Sequence, residues 1–334
     1  MKTIREVSLP LWMIWPLAWL SSNLSRRKPL FDPTLYALEN IIHHLDFSNK
    51  RMLSWLAWLD WRNTNMIHIN ETKCLKCKAC VRDCIVKVLT VGDNGFPRMR
   101  PEDERFCLNC QHCLAVCPVG AVECHGVMAE QTAEIGPLPS SENMLNLLCQ
   151  RRSIRQYKQE DLDAETMDML VKSLAWTPTG CNDHRLFFTV VRHREEMDFF
   201  RDKMVKTLQF LIKTGIMRLV YPNFKRYKDE IMGGEDVIFR NAPHMVVACT
   251  PKNAPCREAD PWISLSYFDL MAQSLGVGTC WCGFAVHAFK WVKALRERLD
   301  MPKGYQVGAV LLFGKPDVEY KRQTAPKQFR MNVL

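Results

Sequence analysis

Fifteen cysteines stand in this 334-residue chain, and eight of them fall into two identical runs: Cys74, Cys77, Cys80 and Cys84, then Cys107, Cys110, Cys113 and Cys117. Each run reads C-x2-C-x2-C-x3-C, and Pro118 follows the second. Thiolates at i, i+3 and i+6 in one tight loop can hold three corners of an iron-sulfur cubane, while the turn that follows carries the fourth cysteine to another cluster. The ligand sets are therefore expected to cross. Cys74, Cys77, Cys80 and Cys117 would hold one [4Fe-4S] cluster, and Cys107, Cys110, Cys113 and Cys84 the second. Zinc usually takes two separated C-x2-4-C pairs, and a disulfide framework needs an oxidising compartment, so neither suits this spacing as well. Cys124 and Cys149 lie outside both runs and are read as small buried side chains.

A second set of residues suits an anionic ligand. Arg151, Arg152, Ser153 and Arg155 bring three guanidinium forks and a hydroxyl into five residues, a grouping that can hold a phosphate through several charge-assisted hydrogen bonds. Taken alone, the same cluster also describes a solvated basic surface. Cys280-Trp281-Cys282 is a C-x-C pair rather than the C-x-x-C of redox dithiols, and is read as a pocket wall. His184 is a candidate proton donor, although an isolated histidine often serves structure instead.

Residues 66–125 resemble bacterial two-cluster ferredoxins, including the turn Gly92-Asp93-Asn94-Gly95 between the halves; Ile85 stands where a proline is expected after the first run. Residues 142–330 resemble the nitroreductase superfamily of FMN enzymes. The resemblance is carried by the R-R-S-x-R opening, the turn Pro178-Thr179-Gly180-Cys181-Asn182, the segment Phe239-Arg240-Asn241-Ala242-Pro243, the run Gly276 to Trp281, and Gly308 to Pro316 with a basic tail. It implies an α+β fold, a homodimer and FMN sites at the subunit interface. Arg151, Arg152, Ser153 and Arg155 match the family's phosphate and flavin-edge contacts, and Pro178, Thr179, Gly180 and Asn182 match a turn that reaches the flavin from the partner subunit. Cys282 and Gly283 match a position whose backbone N–H groups approach the flavin ring, and Arg322 and Lys327 resemble basic tail residues that close on the phosphate. Asp183-His184-Arg185-Leu186 departs from the usual Gln-Pro-Trp-like stretch, which leaves the substrate wall open. Tyr221, Lys225, Arg226 and Tyr227 fall where relatives place a lid, and a solvated helix face reads equally well there.

These groups need elements to hold them. At 47% hydrophobic and 24% charged the composition is that of a folded chain, and the length suggests about two domains. The partition is expected at 1–65 (a Trp-rich helical extension), 66–125 (the cysteine unit), 126–141 (a linker) and 142–334 (the flavin domain). Short β-branched runs at Phe187–Val191, Met245–Cys249 and Val307–Phe313 alternate with amphipathic helices, among them Trp262 to Leu275.

Six of the ten tryptophans lie before residue 66 at near-helical spacing. The apolar stretch Leu9 to Leu20 spans twelve residues with two prolines, short of the ~20 that a bilayer needs. The extension is expected either to pack on the protein or to rest as a peripheral foot on the inner membrane face, with the chain otherwise cytoplasmic. The net charge of +9 does not choose a partner, and the basic run from Arg201 to Glu230 carries helical apolar residues rather than a nucleic-acid motif, so no nucleic acid is expected.

Joined, the two modules read as an FMN oxidoreductase. Electrons from ferredoxin, flavodoxin or NAD(P)H would pass through two [4Fe-4S] clusters to FMN, which would reduce a small electron-poor acceptor such as a nitro, quinone or enone compound. The alternative is an iron-sulfur and flavin subunit that relays electrons to a partner protein.

Overall fold

The computed structural model describes residues 67–217, 226–326 and 328–334. The chain divides into two compact units between Glu134 and Ile135. Expectations placed on residues 1–65, on Tyr221 and Lys225, and on Lys327 lie outside the described residues. No helix among the described residues is long and apolar enough to cross a membrane.

The first unit is built from two short antiparallel pairs. Strand β1 (Ile67–Ile69) pairs with β4 (Val122–Cys124), and β2 (Leu89–Val91) pairs with β3 (Pro97–Met99). Two single-turn helices, α1 (Ala79–Asp83) and α2 (His112–Ala115), follow the two cysteine loops. The halves repeat at an offset of 33 residues, and so does their backbone: Lys76 and Asn109, Lys78 and Gln111, and Lys87 and Gly120 all sit at positive φ. Left-handed residues on both sides of the middle cysteine curl each loop around its thiols, a conformation that costs non-glycine residues about 1 kcal/mol or more each. The segment read as the start of a linker belongs to this unit. Val127 bridges back to Cys124, and Lys73 Nζ lies 2.8 Å from Glu130 Oε1.

The second unit has one four-stranded antiparallel sheet in the order β5 (Phe187–Val191), β6 (His244–Pro251), β8 (Tyr305–Gly314), β7 (Gly278–Trp281). Its helices are α3 (Ser141–Gln150), α4 (Ala164–Ser173), α5 (Arg194–Lys213), α6 (Lys228–Met232), α7 (Asp260–Ser274), α8 (Gly283–Trp291) and α9 (Lys293–Arg298). This is an α+β arrangement. Alternation along β6 sends Met245, Val247 and Cys249 to a core with Met197 and Phe200 of α5 and Phe289 of α8. Val246 and Ala248 face the opposite core, with Leu170 of α4 and Leu265 and Phe268 of α7. Helices on both faces therefore bury β6 completely, which explains its continuous apolar run. Helix α7 begins two residues before the expected Trp262, because Pro261 suits a first turn.

Candidate functional site

The cysteine loops deliver their thiols to two separate voids. Cys74, Cys77, Cys80 and Cys117 line one. Cys84, Cys107, Cys110 and Cys113 line the other. In each case three thiols come from one loop and the fourth from the other half. Four soft donors around each space fit a cubane.

Backbone amides point at the sulfurs. The Lys76 N–H donates to Cys74 Sγ at 3.4 Å and the Ala121 N–H to Cys117 Sγ at 3.2 Å. Cys124, read from sequence as a small buried side chain, is indeed 1% exposed, and it lines the second void as a fifth thiol. Its partner in that expectation, Cys149, is exposed instead, because α3 buries none of its residues within one chain.

In the second unit the R-R-S-x-R segment lies along the free edge of β7. The Ile154 N–H donates to Thr279 O at 2.7 Å, and Ser153 pairs with Thr279 as a parallel bridge. The approach is close: a Cβ on Gly278 would stand 2.6 Å from Ile154 Cγ1. Arg151 reaches inward to the buried carboxylate of Asp269 on α7, with Nη1 3.5 Å from Oδ2. Asp269 also accepts from the Thr279 hydroxyl, and from Trp281 Nε1 at 3.2 Å. Trp281 in turn stacks on Trp262, the ring centroids being 5.2 Å apart. Arg152 Nη2 donates to Arg322 O at 2.9 Å, so the tail is held here through its backbone, and the Arg152 guanidinium lies 5.1 Å from the Tyr320 ring centroid.

Burial raises the Cys280 thiol pKa, and the charges of Arg155, Arg240 and Arg151 pull it the other way. Sequence reasoning quoted Arg240 inside a motif without assigning it a role. The structure holds Arg240 and Asn241 at positive φ (54° and 52°), fixed by Asp236, whose carboxylate accepts from the amides of Ile238, Phe239 and Asn241. Burial pushes the Cys282 thiol up to about 12, which leaves it unreactive as a nucleophile and consistent with a wall.

The two amides expected to face the ring divide. The Cys282 N–H donates to Val310 O at 3.0 Å and is committed to the sheet. Gly283, at the first position of α8, has no acceptor in its own helix for its N–H.

The turn from Pro178 to His184 is held elsewhere. The Gly180 N–H donates to Asp260 Oδ1 at 3.0 Å, and a Cβ on Gly180 would stand 2.3 Å from Cys256 Sγ. Cys181, Asn182 and His184 are all at positive φ, which the turn stabilises through the His184 N–H to Thr179 Oγ1 (2.9 Å) and the His184 ring to Asn182 Oδ1 (2.8 Å). Asp260 and Asp269 lie nine residues apart on α7, which at the α-helical rise is about 13 Å. One chain therefore places Arg151, Arg152, Ser153, Arg155 and the Arg322 backbone at the edge of β7, with Cys282 and Gly283 next along the chain after that strand, and holds Pro178, Thr179, Gly180, Asn182 and His184 at the other end of α7.

Known proteins divide the chain in the same way. The nitroreductase family profile matches residues 148–315, and that of the 4Fe-4S dicluster domain matches residues 73–121. A protein of Archaeoglobus fulgidus named as an NADH dehydrogenase/NAD(P)H nitroreductase is 25% identical over 193 residues, 56% of this chain and 94% of its own length. Among solved structures, a nitroreductase with bound FMN from Bacteroides fragilis matches at 18% identity and a TM-score of 0.45, over 57% of this chain and 97% of its own. Another, with bound FMN from Desulfitobacterium hafniense, matches at 23% identity and a TM-score of 0.46, over 57% and 98%.

Proposed function

The chain belongs to the nitroreductase family and carries a 4Fe-4S dicluster domain ahead of the family domain; from that premise we propose an FMN oxidoreductase that takes up electrons singly and reduces an electron-poor organic acceptor in pairs. The observation that carries this reading is the seating of the R-R-S-x-R segment along β7 with Arg151 on the buried Asp269, in a chain whose eight cassette thiols ring two voids. When bound, FMN supplies the exchange between one-electron and two-electron steps, and the clusters supply the one-electron path.

The chain's own residues prepare that chemistry. The guanidinium groups of Arg151, Arg152 and Arg155 and the Ser153 hydroxyl would hold the flavin phosphate and the electron-rich ring edge. Gly278 lets that segment lie flat on β7, and the Gly283 N–H, at the first position of α8 with no acceptor in its own helix, would serve the ring. Asp269 orients Arg151 and Trp281 together.

The site is proposed to be completed by a second copy of the chain, whose Pro178 to Asn182 turn would cover the ring and whose His184 would deliver a proton to the reduced acceptor. Apolar surface supports that assembly. Met144, Leu145 and Leu148 of α3, Trp262, Ile263 and Tyr267 of α7, and Phe329, Met331 and Val333 of the tail are all exposed in one chain. The acceptor class is a nitro, quinone or enone compound, and the donor a low-potential ferredoxin or flavodoxin. NAD(P)H, which appears in the name of the archaeal relative, is the competing donor.

Single-turnover mixing tests the reading. The anaerobic full chain is reduced and then mixed with a nitroaromatic, a quinone or an enone while flavin absorbance is followed. Reoxidation by at least one of these supports the enzyme. Reoxidation only by a partner protein would assign the chain to electron relay instead.

A further inference from the structure

The two halves of the cysteine unit differ at one place that bears on their clusters. The 33-residue repeat that aligns Cys74 with Cys107 and Cys84 with Cys117 also aligns strand β2 with β4, so Val91-Gly92 in the first half corresponds to Cys124-His125 in the second. The first pair offers no side-chain hydrogen-bond donor. The second offers two. His125 Nε2 lies 3.6 Å from Cys107 Sγ, and the Cys124 S–H donates to Asn109 Oδ1 at 3.9 Å.

A tight turn aims the His125 ring. Cys124 and Val127 exchange backbone hydrogen bonds of 2.9 and 3.0 Å, and between them His125 sits at φ 49° and Gly126 at φ 78°. A histidine in the left-handed region is uncommon, and here it places the ring against a cluster ligand. Backbone amides also reach sulfurs, the Lys76 N–H on Cys74 and the Ala121 N–H on Cys117, both ligands of the first cluster, whereas the His125 ring adds a side-chain donor to the second.

We propose that the Cys124-His125 turn sets the reduction potential of the cluster held by Cys84, Cys107, Cys110 and Cys113 above that of the cluster held by Cys74, Cys77, Cys80 and Cys117. The inference rests on the reading of the cassette as two clusters. An iron-bound thiolate can only accept, so the imidazole Nε2–H is the donor to Cys107. Hydrogen bonds onto ligand sulfurs stabilise the more negative reduced level and raise the potential. Each electron that enters at the first cluster then moves downhill to the second, one cluster being oxidised as the other is reduced by the same single electron.

The test is an EPR-monitored redox titration of the anaerobic full chain, with iron and sulfide measured on every sample. His125→Gly gives the second half the residue of the first, and glycine accepts the positive φ. In His125→Gly the higher of the two potentials is expected to fall by a tenfold change in the reduced-to-oxidised ratio, about 59 mV for one electron, while the lower stays fixed. His125→Asn, which tolerates the same backbone and keeps an N–H donor, should hold that potential nearer the wild-type value than His125→Asp, which tolerates the backbone and offers only an acceptor. If His125→Gly loses iron, His125→Asn and His125→Asp decide between donor and acceptor. Unchanged potentials, equal movement of both, or movement of the lower one alone would overturn the proposal. A wild-type chain without two cluster signals would instead defeat the reading on which it rests.

Discussion

Asp269 and Arg151 meet across the second unit, the carboxylate buried on α7 and the guanidinium 3.5 Å away at the start of the segment that lies along β7. Because Asp269 also accepts from Thr279 and Trp281, one anion fixes a cation, an edge strand and an aromatic wall together. Asp269→Asn keeps the shape and removes the charge. Flavin affinity is expected to fall about tenfold, which is about 1.4 kcal/mol, and the unfolding free energy by about 2 kcal/mol. Flavin fluorescence titration and urea denaturation measure the two effects separately.

Gly278→Ala tests how closely the R-R-S-x-R segment must approach the sheet. The added methyl would meet three atoms of the Ile154 side chain at 2.6 to 2.9 Å, and Ile154 is itself buried. Its neighbours cannot yield without moving Arg151 to Ser153. A loss of about 1 to 3 kcal/mol is expected, together with weakened flavin retention on gel filtration. A variant as stable as the wild type with full flavin content would contradict this packing.

Arg240→Gly should separate stability from binding. Its φ of 54° suits glycine, so the substitution relieves strain of about 1 kcal/mol. It also removes one of the three charges that pull on the Cys280 thiol. The variant is expected to unfold at an equal or higher denaturant concentration and yet to bind flavin more weakly. Denaturation of the apoprotein and flavin titration provide the two readings.

His244 makes the stability of this unit depend on pH. Its ring is fully buried against Phe313, accepts at Nε2 from the Leu162 N–H at 3.0 Å and faces Val191 O from Nδ1 at 3.3 Å. Burial lowers its pKa, with the nearby Asp161 carboxylate opposing. The folded state thus binds the proton less readily than the unfolded one. The associated stability is fully present above the ordinary histidine value of 6.5 and is lost as pH falls through the depressed folded value. Urea midpoints measured at steps from pH 8 down to 5 should decline through that window, and His244→Gln, which keeps an acceptor but cannot titrate, should flatten the decline.

Much of this was legible in the sequence where chemistry fixes spacing. The cassette thiols fall around two voids in the crossed grouping read from Cys84 and Cys117, since three ligands on one loop leave the fourth no other place to go. Strand β6 was visible as Met245 to Cys249 because an apolar run of that length, bounded by polar residues, suits burial on two faces. What stayed hidden depended on contacts between distant segments. Asp269 has no motif of its own and gains its role only when α7 sets it against Arg151. Cys124 became a fifth thiol at a void through the pairing of β4 with β1. Cys149, read as buried, proved exposed because a cysteine on an amphipathic helix does not announce which surface that helix meets. The Cys282 amide was assigned to the flavin by resemblance, whereas strand pairing gives it to Val310.

The most direct measurement is the metal and flavin content of the full chain purified without oxygen. Two cubanes predict about eight irons and about eight acid-labile sulfides per chain, with about one FMN released by acid. A colourless protein, or one carrying zinc in place of iron and no flavin, would contradict the account.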